Sequence, residues 1–298
     1  MATTTSITTS YAGEKLQGFI SAAVLSANTI EKGGITVKPN VKFKSVIKTL
    51  DATDLVRGGS CDFDATGTVT LAERYLEPKE FQVNLQLCKQ DYRDDWDAIS
   101  MGMSAHDSLP PAFSDYLLGH VVAKVANKIE SMIWRGTDGA DEFDGLTTIA
   151  AADGDTVKVT ATSIDATNVI DELGKVVDAI PTEIYGEEDL AIYISPAIAR
   201  SYIRAQAALG YKDLYHVGQT ALDFEGVKLF VANGLQGDLM LAARSSNLMF
   251  GTGLLNDKNE AKVIDMADID GSQNVRIVLR YTATVNYGIG SEIVVYSA

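Results

Sequence analysis

The chain has 298 residues, of which 46% are apolar and 22% charged, a globular balance that excludes a disordered, collagen-like or disulfide-stapled protein. Forty acids against 25 bases leave a formal charge of -15; such a surface repels free nucleic acid and argues against a sequence-specific DNA reader, whose affinity rests on neutralised phosphates. The longest apolar runs are five residues, Leu190 to Ile194 among them, too short to span a membrane.

In chain order, residues 1–40 read as an N-terminal arm. Tyr11 to Asn28 carries a short helical stripe (Leu16, Phe19, Ile20, Ala23, Val24), and Gly33-Gly34 and Pro39 then break the chain. With so few anchors the arm is expected to be disordered or to lie on another surface. The threonine-rich start lacks an apolar stretch of signal type, so an intracellular origin is expected. Residues 41–50 alternate, with Val41, Phe43, Ser45 and Ile47 on one side and Lys42, Lys44 and Lys48 on the other, which predicts a half-exposed strand. A polar stretch leads to a second strand at Thr68 to Leu76. Together they predict a charged ribbon, which is marginal alone in water and must lie on its own body or on a neighbour.

Residues 79–89 alternate again, with Phe81, Val83, Leu85 and Leu87 on one face. A long helix is predicted from Ser114, as N-cap, to Arg135. Leu117, Val121, Val125, Ile129 and Ile133 form its stripe, and Gly136 lies just past its end. From about 155 helices and strands alternate. A helical stripe from Val169 to Ile180 stops at Pro181, and a buried-type strand covers Asp189 to Ile194. Ser195-Pro196 then opens a helix that ends at Gly210. Strands come next at Val227–Ala232, Leu239–Ala243 and Leu248–Gly251. The C-terminal part gives two or three long strands, in which Val275, Ile277, Leu279 and Tyr281 alternate with Arg276, Val278 and Arg280. The class is α+β.

Reactive groups are sparse and scattered in the sequence. His106, His120 and His216 are far apart, and Cys61 and Cys88 have no metal or redox spacing, so two free thiols are expected. Phosphate-loop, nucleophile-elbow, zinc-protease and EF-hand patterns are all missing. The glycine pairs Gly251/Gly253 and Gly288/Gly290 read as strand-end turns, and Gly136 to Gly139 as the turn that stops the long helix. The acidic cluster Asp91, Asp94, Asp95 and Asp97 is the best candidate for a cation or acid–base site. Arg93 within it points instead to charge neutralisation, with bases of a neighbouring chain as a further partner or with the loop solvated. We expect no catalytic residue, no metal and no cofactor.

The order and wording of the segments carry a resemblance. They are LEPKEFQVNLQLCKQDYRDDW (76–96), WRGTDGADEFDGLTT (134–148), ISPAIARSYIRA (194–205), FEGVKLFVANGL (224–235), DLMLAARSSNLMFGTGL (238–254) and VRIVLRYTATVNYG (275–288). In this order the chain resembles tailed-phage major capsid proteins of the Hong Kong 97 type over nearly its whole length. The resemblance implies an α+β capsid fold with an N-arm (1–40) and an extended loop (41–78). It also implies a peripheral domain with a spine helix (79–155 and 260–283) and an axial domain (156–259 and 284–298).

By the same resemblance the chain is not an enzyme. Copies would assemble as pentamers and hexamers into an icosahedral shell around double-stranded DNA, in a virion built in the host bacterial cytoplasm. Lys42, Lys44, Lys48, Arg57 and Arg74 on the ribbon, with Asp94 and Asp95, are the expected intersubunit contacts. A cleaved N-terminal scaffolding segment has no counterpart here, which a separate scaffolding protein or an already matured chain would explain; a separate scaffolding protein, a portal and decoration proteins are the expected partners. Positions for a lysine–asparagine cross-link find no match. Two alternatives stand beside this reading: an encapsulin-type bacterial nanocompartment shell, and an α/β enzyme built on the 91–97 cluster.

Overall fold

The computed structural model describes residues 27–41, 43–53, 67–88, 111–210, 222–253 and 260–297, with single residues at 56, 58, 59 and 61. The helices are α1 (Asn28–Glu31), α2 (Pro111–Arg135), α3 (Leu146–Ala152), α4 (Val169–Asp178), α5 (Pro196–Ala208) and α6 (Ala267–Asp270). The strands are β1 (Thr36–Lys38), β2 (Ser45–Thr53), β3 (Thr68–Leu76), β4 (Lys79–Cys88), β5 (Val157–Thr160), β6 (Leu190–Ile194) and β7 (Asp223–Phe224). They continue with β8 (Val227–Val231), β9 (Met240–Arg244), β10 (Leu248–Thr252), β11 (Glu260–Asp265), β12 (Asn274–Tyr287) and β13 (Val294–Ser297).

The long helix forms because Val121, Val125, Ile129 and Ile133 recur every four residues, and all four are buried with Met132 and Trp134. Its 25 residues make a rod of about 37 Å. It starts at Pro111, three residues before the expected Ser114 cap, because proline's fixed φ suits the first helical position. It ends where Gly136 meets the chain again: a Cβ there would lie 2.1 Å from the Phe143 carbonyl oxygen.

Two sheets flank one core. The first has the order β1-β10-β12-β11, with β4 also paired to β12. The expected alternation holds along β12, where Val275, Ile277, Leu279 and Tyr281 are buried and pack with α2 in one apolar cluster. On β4 only Phe81 of the four expected inward residues is buried. Val83 and Leu87 are half-buried and Leu85 is exposed, since Val83 and Leu85 line an open groove with Val121 and Val125 of α2. Gly251 lies inside β10 rather than in a turn, and a Cβ there would press on Thr284 at 2.9 Å.

The second sheet has the order β5-β13-β9-β6-β8-β7. β6 is buried throughout because its two faces serve different cores. Ala191 and Tyr193 join the α2 cluster, while Leu190, Ile192 and Ile194 join a second cluster with α4 and α5. Ser195 caps α5 as expected, its hydroxyl accepting from the Ile198 N–H at 3.3 Å.

The expected arm helix over 11–28 lies outside the described residues except for its last two positions. From Ala27 onward the chain is tied into the body. Ala27, Ile30, Ile35 and Val41 are buried, and β1 runs parallel to β10. Thr29 is held by the buried Glu130, whose carboxyl group accepts from the Thr29 N–H at 2.9 Å and its hydroxyl at 2.5 Å. Trp134 donates to the same threonine hydroxyl at 2.8 Å.

Candidate assembly interface

β2 and β3 form a two-stranded antiparallel ribbon, with Ser45 opposite Leu76 at its root and Thr53 opposite Thr68 at its far end. Nine residues per strand give it a reach of about 30 Å. Directly opposed residues of an antiparallel pair share a face, so the register sorts the side chains. Val46, Lys48, Leu50 and Ala52 lie beside Tyr75, Glu73, Leu71 and Val69 on one face. Ile47 and Arg74 belong to the other.

The first face is apolar except for Lys48 and Glu73, and no described residue covers it. Leu50 is 67% exposed, Val69 60% and Leu71 57%, with Val46 and Tyr75 also exposed. Phe43 is 78% exposed, not turned inward with Val41 and Ile47, because β2 begins only at Ser45. Seven of the eleven large apolar side chains exposed among the described residues lie between Phe43 and Tyr75. Such a concentration makes the ribbon a candidate contact surface, since single exposed apolar residues scatter.

The charges on this ribbon are largely self-contained. Lys48 pairs with Glu73 across the strands at 3.7 Å. The Lys44 ammonium lies 3.7 Å from the Tyr75 ring centre, a cation–π contact. Arg74 pairs with Asp153 in the loop after α3, and its guanidinium stacks over Tyr287 with 4.6 Å to the ring centre. Lys42, Arg57, Asp94 and Asp95, like the rest of the 91–97 cluster, lie outside the described residues. The structure therefore gives Lys48 and Arg74 acid partners within the chain, and it brings the candidate residues together only along the ribbon.

The root is fixed to the body. Leu76 and Ile47 are buried, and the Asn286 side-chain amide donates to the Tyr75 carbonyl at 2.8 Å. Burial pushes the Asp153 carboxyl upward, but the Asp155 N–H, the Tyr287 hydroxyl and Arg74 outweigh it and hold the group down at about 2. Burial, and then the bond to Asp153, push the Tyr287 hydroxyl up.

The apolar face is what the sequence reading missed. Its signal was present, because Val46 and Leu50 share the parity of Lys48, and Val69, Leu71 and Tyr75 alternate through β3. Among the described residues no group of three His, Cys, Asp or Glu side chains can hold a metal ion, and no helix is long and apolar enough to cross a membrane.

No family model matches the sequence, and no curated protein matches it. Solved structures do. The capsid of a native GTA particle superposes with a TM-score of 0.63 at 12% identity, covering 100% of this chain and 96% of that one. Gordonia phage Cozz gives 0.60 at 13% identity, covering 91% and 87%. A virus-like particle from Pyrococcus furiosus gives 0.55 at 10% identity, covering 95% and 97%. The fold is the one anticipated from the order of the sequence segments, the Hong Kong 97-type capsid fold.

Proposed function

We propose that this chain, which has the capsid fold over its full length, is a major capsid protein of a tailed bacteriophage. Copies assemble as pentamers and hexamers into an icosahedral shell around double-stranded DNA. The observation that carries this reading is the uncovered apolar face of the β2–β3 ribbon, on a chain whose structural neighbours are capsids. In it, residues 41–78 are the extended loop laid over an adjacent copy. Residues 79–155 and 260–283 form the peripheral domain around α2, residues 156–259 and 284–298 the axial domain, and 1–40 the arm.

The contact on the ribbon is mainly apolar, with the Lys48–Glu73 pair between its Val46/Tyr75 and Leu50/Leu71 pairs. Charge pairs with a neighbouring copy, for which Lys42, Arg57, Asp94 and Asp95 are the candidates, contribute only about 0–1 kcal/mol each where exposed and set register. The role is structural rather than enzymatic. The partners are further copies of the chain, a scaffolding protein, a portal, decoration proteins and the packaged DNA, in a virion assembled in the bacterial cytoplasm. A nanocompartment shell is the nearest rival, and the virus-like particle from Pyrococcus furiosus, at a lower TM-score than the GTA capsid, does not favour it over the phage capsid.

Electron microscopy of the purified protein with sedimentation velocity tests the proposal. Closed shells or rings of five and six are expected, and shell diameter separates a phage capsid from a small compartment. A chain that stays a single copy with scaffold, crowding agent and salt all supplied sinks it.

A further inference from the structure

The chain passes between its two sheets three times: from β4 to β5, arriving through residues 153–156, from β9 to β10 through 245–247, and from β12 to β13 through 288–293. All three passages meet in one polar junction. Asn247, buried, accepts from the Gly288 N–H at 3.0 Å and the Ile289 N–H at 2.8 Å, and donates to the Ile289 carbonyl at 2.8 Å. Arg244 grips Glu292 with two nitrogens, at 2.7 and 3.1 Å. The Tyr287 hydroxyl donates to Asp153 at 2.8 Å, which joins the third passage to the first.

Ribbon side chains reach this junction: the Ile47 and Thr49 methyls stand against Gly288, and one charged side chain enters it. Arg74 pairs with Asp153, lies 3.9 Å from Asp155 and stacks on Tyr287. Gly290 gives it room: a Cβ there would stand 3.1 Å from the guanidinium and 3.2 Å from the Asp153 carboxylate. A planar guanidinium can hold a carboxylate and a ring face at once, which a lysine ammonium cannot do with the same geometry.

We propose that Arg74 is a lock, a positioning residue that fixes the ribbon's attitude to both sheets together, so that seating the ribbon on another copy and setting the two sheets relative to each other are coupled. The coupling half rests on the assembly reading above; the lock itself does not. Any force on the ribbon's far end acts through its root, and the root is pinned at the place where all three inter-sheet passages cross. Coupling of this kind runs both ways: what loosens the sheets loosens the ribbon.

The chain's own two cysteines supply the test. Cys61 is exposed in the segment joining β2 to β3, and Cys88 ends β4 in the first sheet. Spin labels on both, in full-length protein diluted with unlabelled copies, report the ribbon's attitude by pulsed electron resonance. The parent is expected to give one narrow distance distribution. Arg74→Ala should widen it about twofold or more, because ion pair and ring contact are lost together. Asp153→Asn, which keeps the side chain's shape, should widen it in the same sense. Lys48→Ala, on the same ribbon but outside the junction, should leave it narrow.

In parallel, particles of the Arg74→Ala variant should vary in diameter where the parent's are uniform. A distribution in Arg74→Ala as narrow as the parent's overturns the lock. A wide distribution with uniform particles overturns the coupling. If the parent itself forms no particles, the assembly reading falls and the coupling with it, while the distances still decide the lock.

Discussion

A Cβ on Gly234 would stand 2.0 Å from the Glu130 carbonyl oxygen and 2.7 Å from the Trp134 ring. Neither neighbour can yield, since one is helix backbone and the other is buried. Gly234→Ala should therefore lower stability by about 1–3 kcal/mol, the range for overpacking a filled interior, and a denaturant melt checks it. At the other end of the core, Asp153 is a carboxylate whose folded pKa of about 2 lies below its ordinary 3.8. A depressed carboxylate stabilises the fold above the ordinary value and loses that contribution as pH falls through the lowered one. The groups that face it are Arg74, Asp155 and Tyr287. Stability should accordingly fall by about 2 kcal/mol between pH 4 and pH 2 from this group. In Asp153→Asn the acid limb of a stability–pH curve should flatten by that amount.

Among the elements, the ribbon is the one whose two faces have different jobs. Its Ile47 and Arg74 face is used up at the root, against the body. Its Val46, Leu50, Leu71 and Tyr75 face is exposed, with no cover from the described residues. Leu50 and Leu71 stand directly opposite each other, so one double substitution places two carboxylates at the centre of that face. Leu50→Asp with Leu71→Asp should abolish assembly, while each exposed change shifts subunit stability by no more than about 0.5 kcal/mol. Thr70→Lys, on the other face of β3, should still assemble. Sedimentation velocity and a thermal melt read both effects. The spacing of Val46 and Leu50 in the sequence allowed this face to be seen, but exposure is a property of what packs on a strand. Nothing in the alternation says which of two half-apolar faces the body covers. The same limit applies to β4, where a regular pattern of four apolar residues ends with only Phe81 buried, because a groove between β4 and α2 stays open beside Val83 and Leu85.

Over the whole molecule the charge of -15 acts on every copy alike. Bringing like-charged copies together costs most when the field is least screened, with a Debye length of about 30 Å at 0.01 M salt and about 8 Å at 0.15 M. If the contact is mainly apolar, raising ionic strength over that range should lower the protein concentration at which particles form. Light scattering across a salt series checks this, and a weakening of assembly would show that intersubunit ion pairs dominate instead. A ribbon on one side that seats on a different surface of the next copy is a head-to-tail contact. Such contacts close into rings when the rotation permits.

The sequence by itself determined the element types and most of their order. Four-residue spacing made α2, period-two alternation made β12, and Ser195 with Pro196 opened α5, because these depend on neighbours along the chain. It also carried the capsid resemblance, through the order of its segments. Only the tertiary structure decided that Leu50 and Leu71 are uncovered, that Arg74 meets an acid from its own chain, and that three passages between sheets converge on it. Asp153 lies 79 positions from Arg74 along the chain and Tyr287 lies 134 from Asp153. No local pattern links residues so far apart; the folding of two sheets around one core places them together.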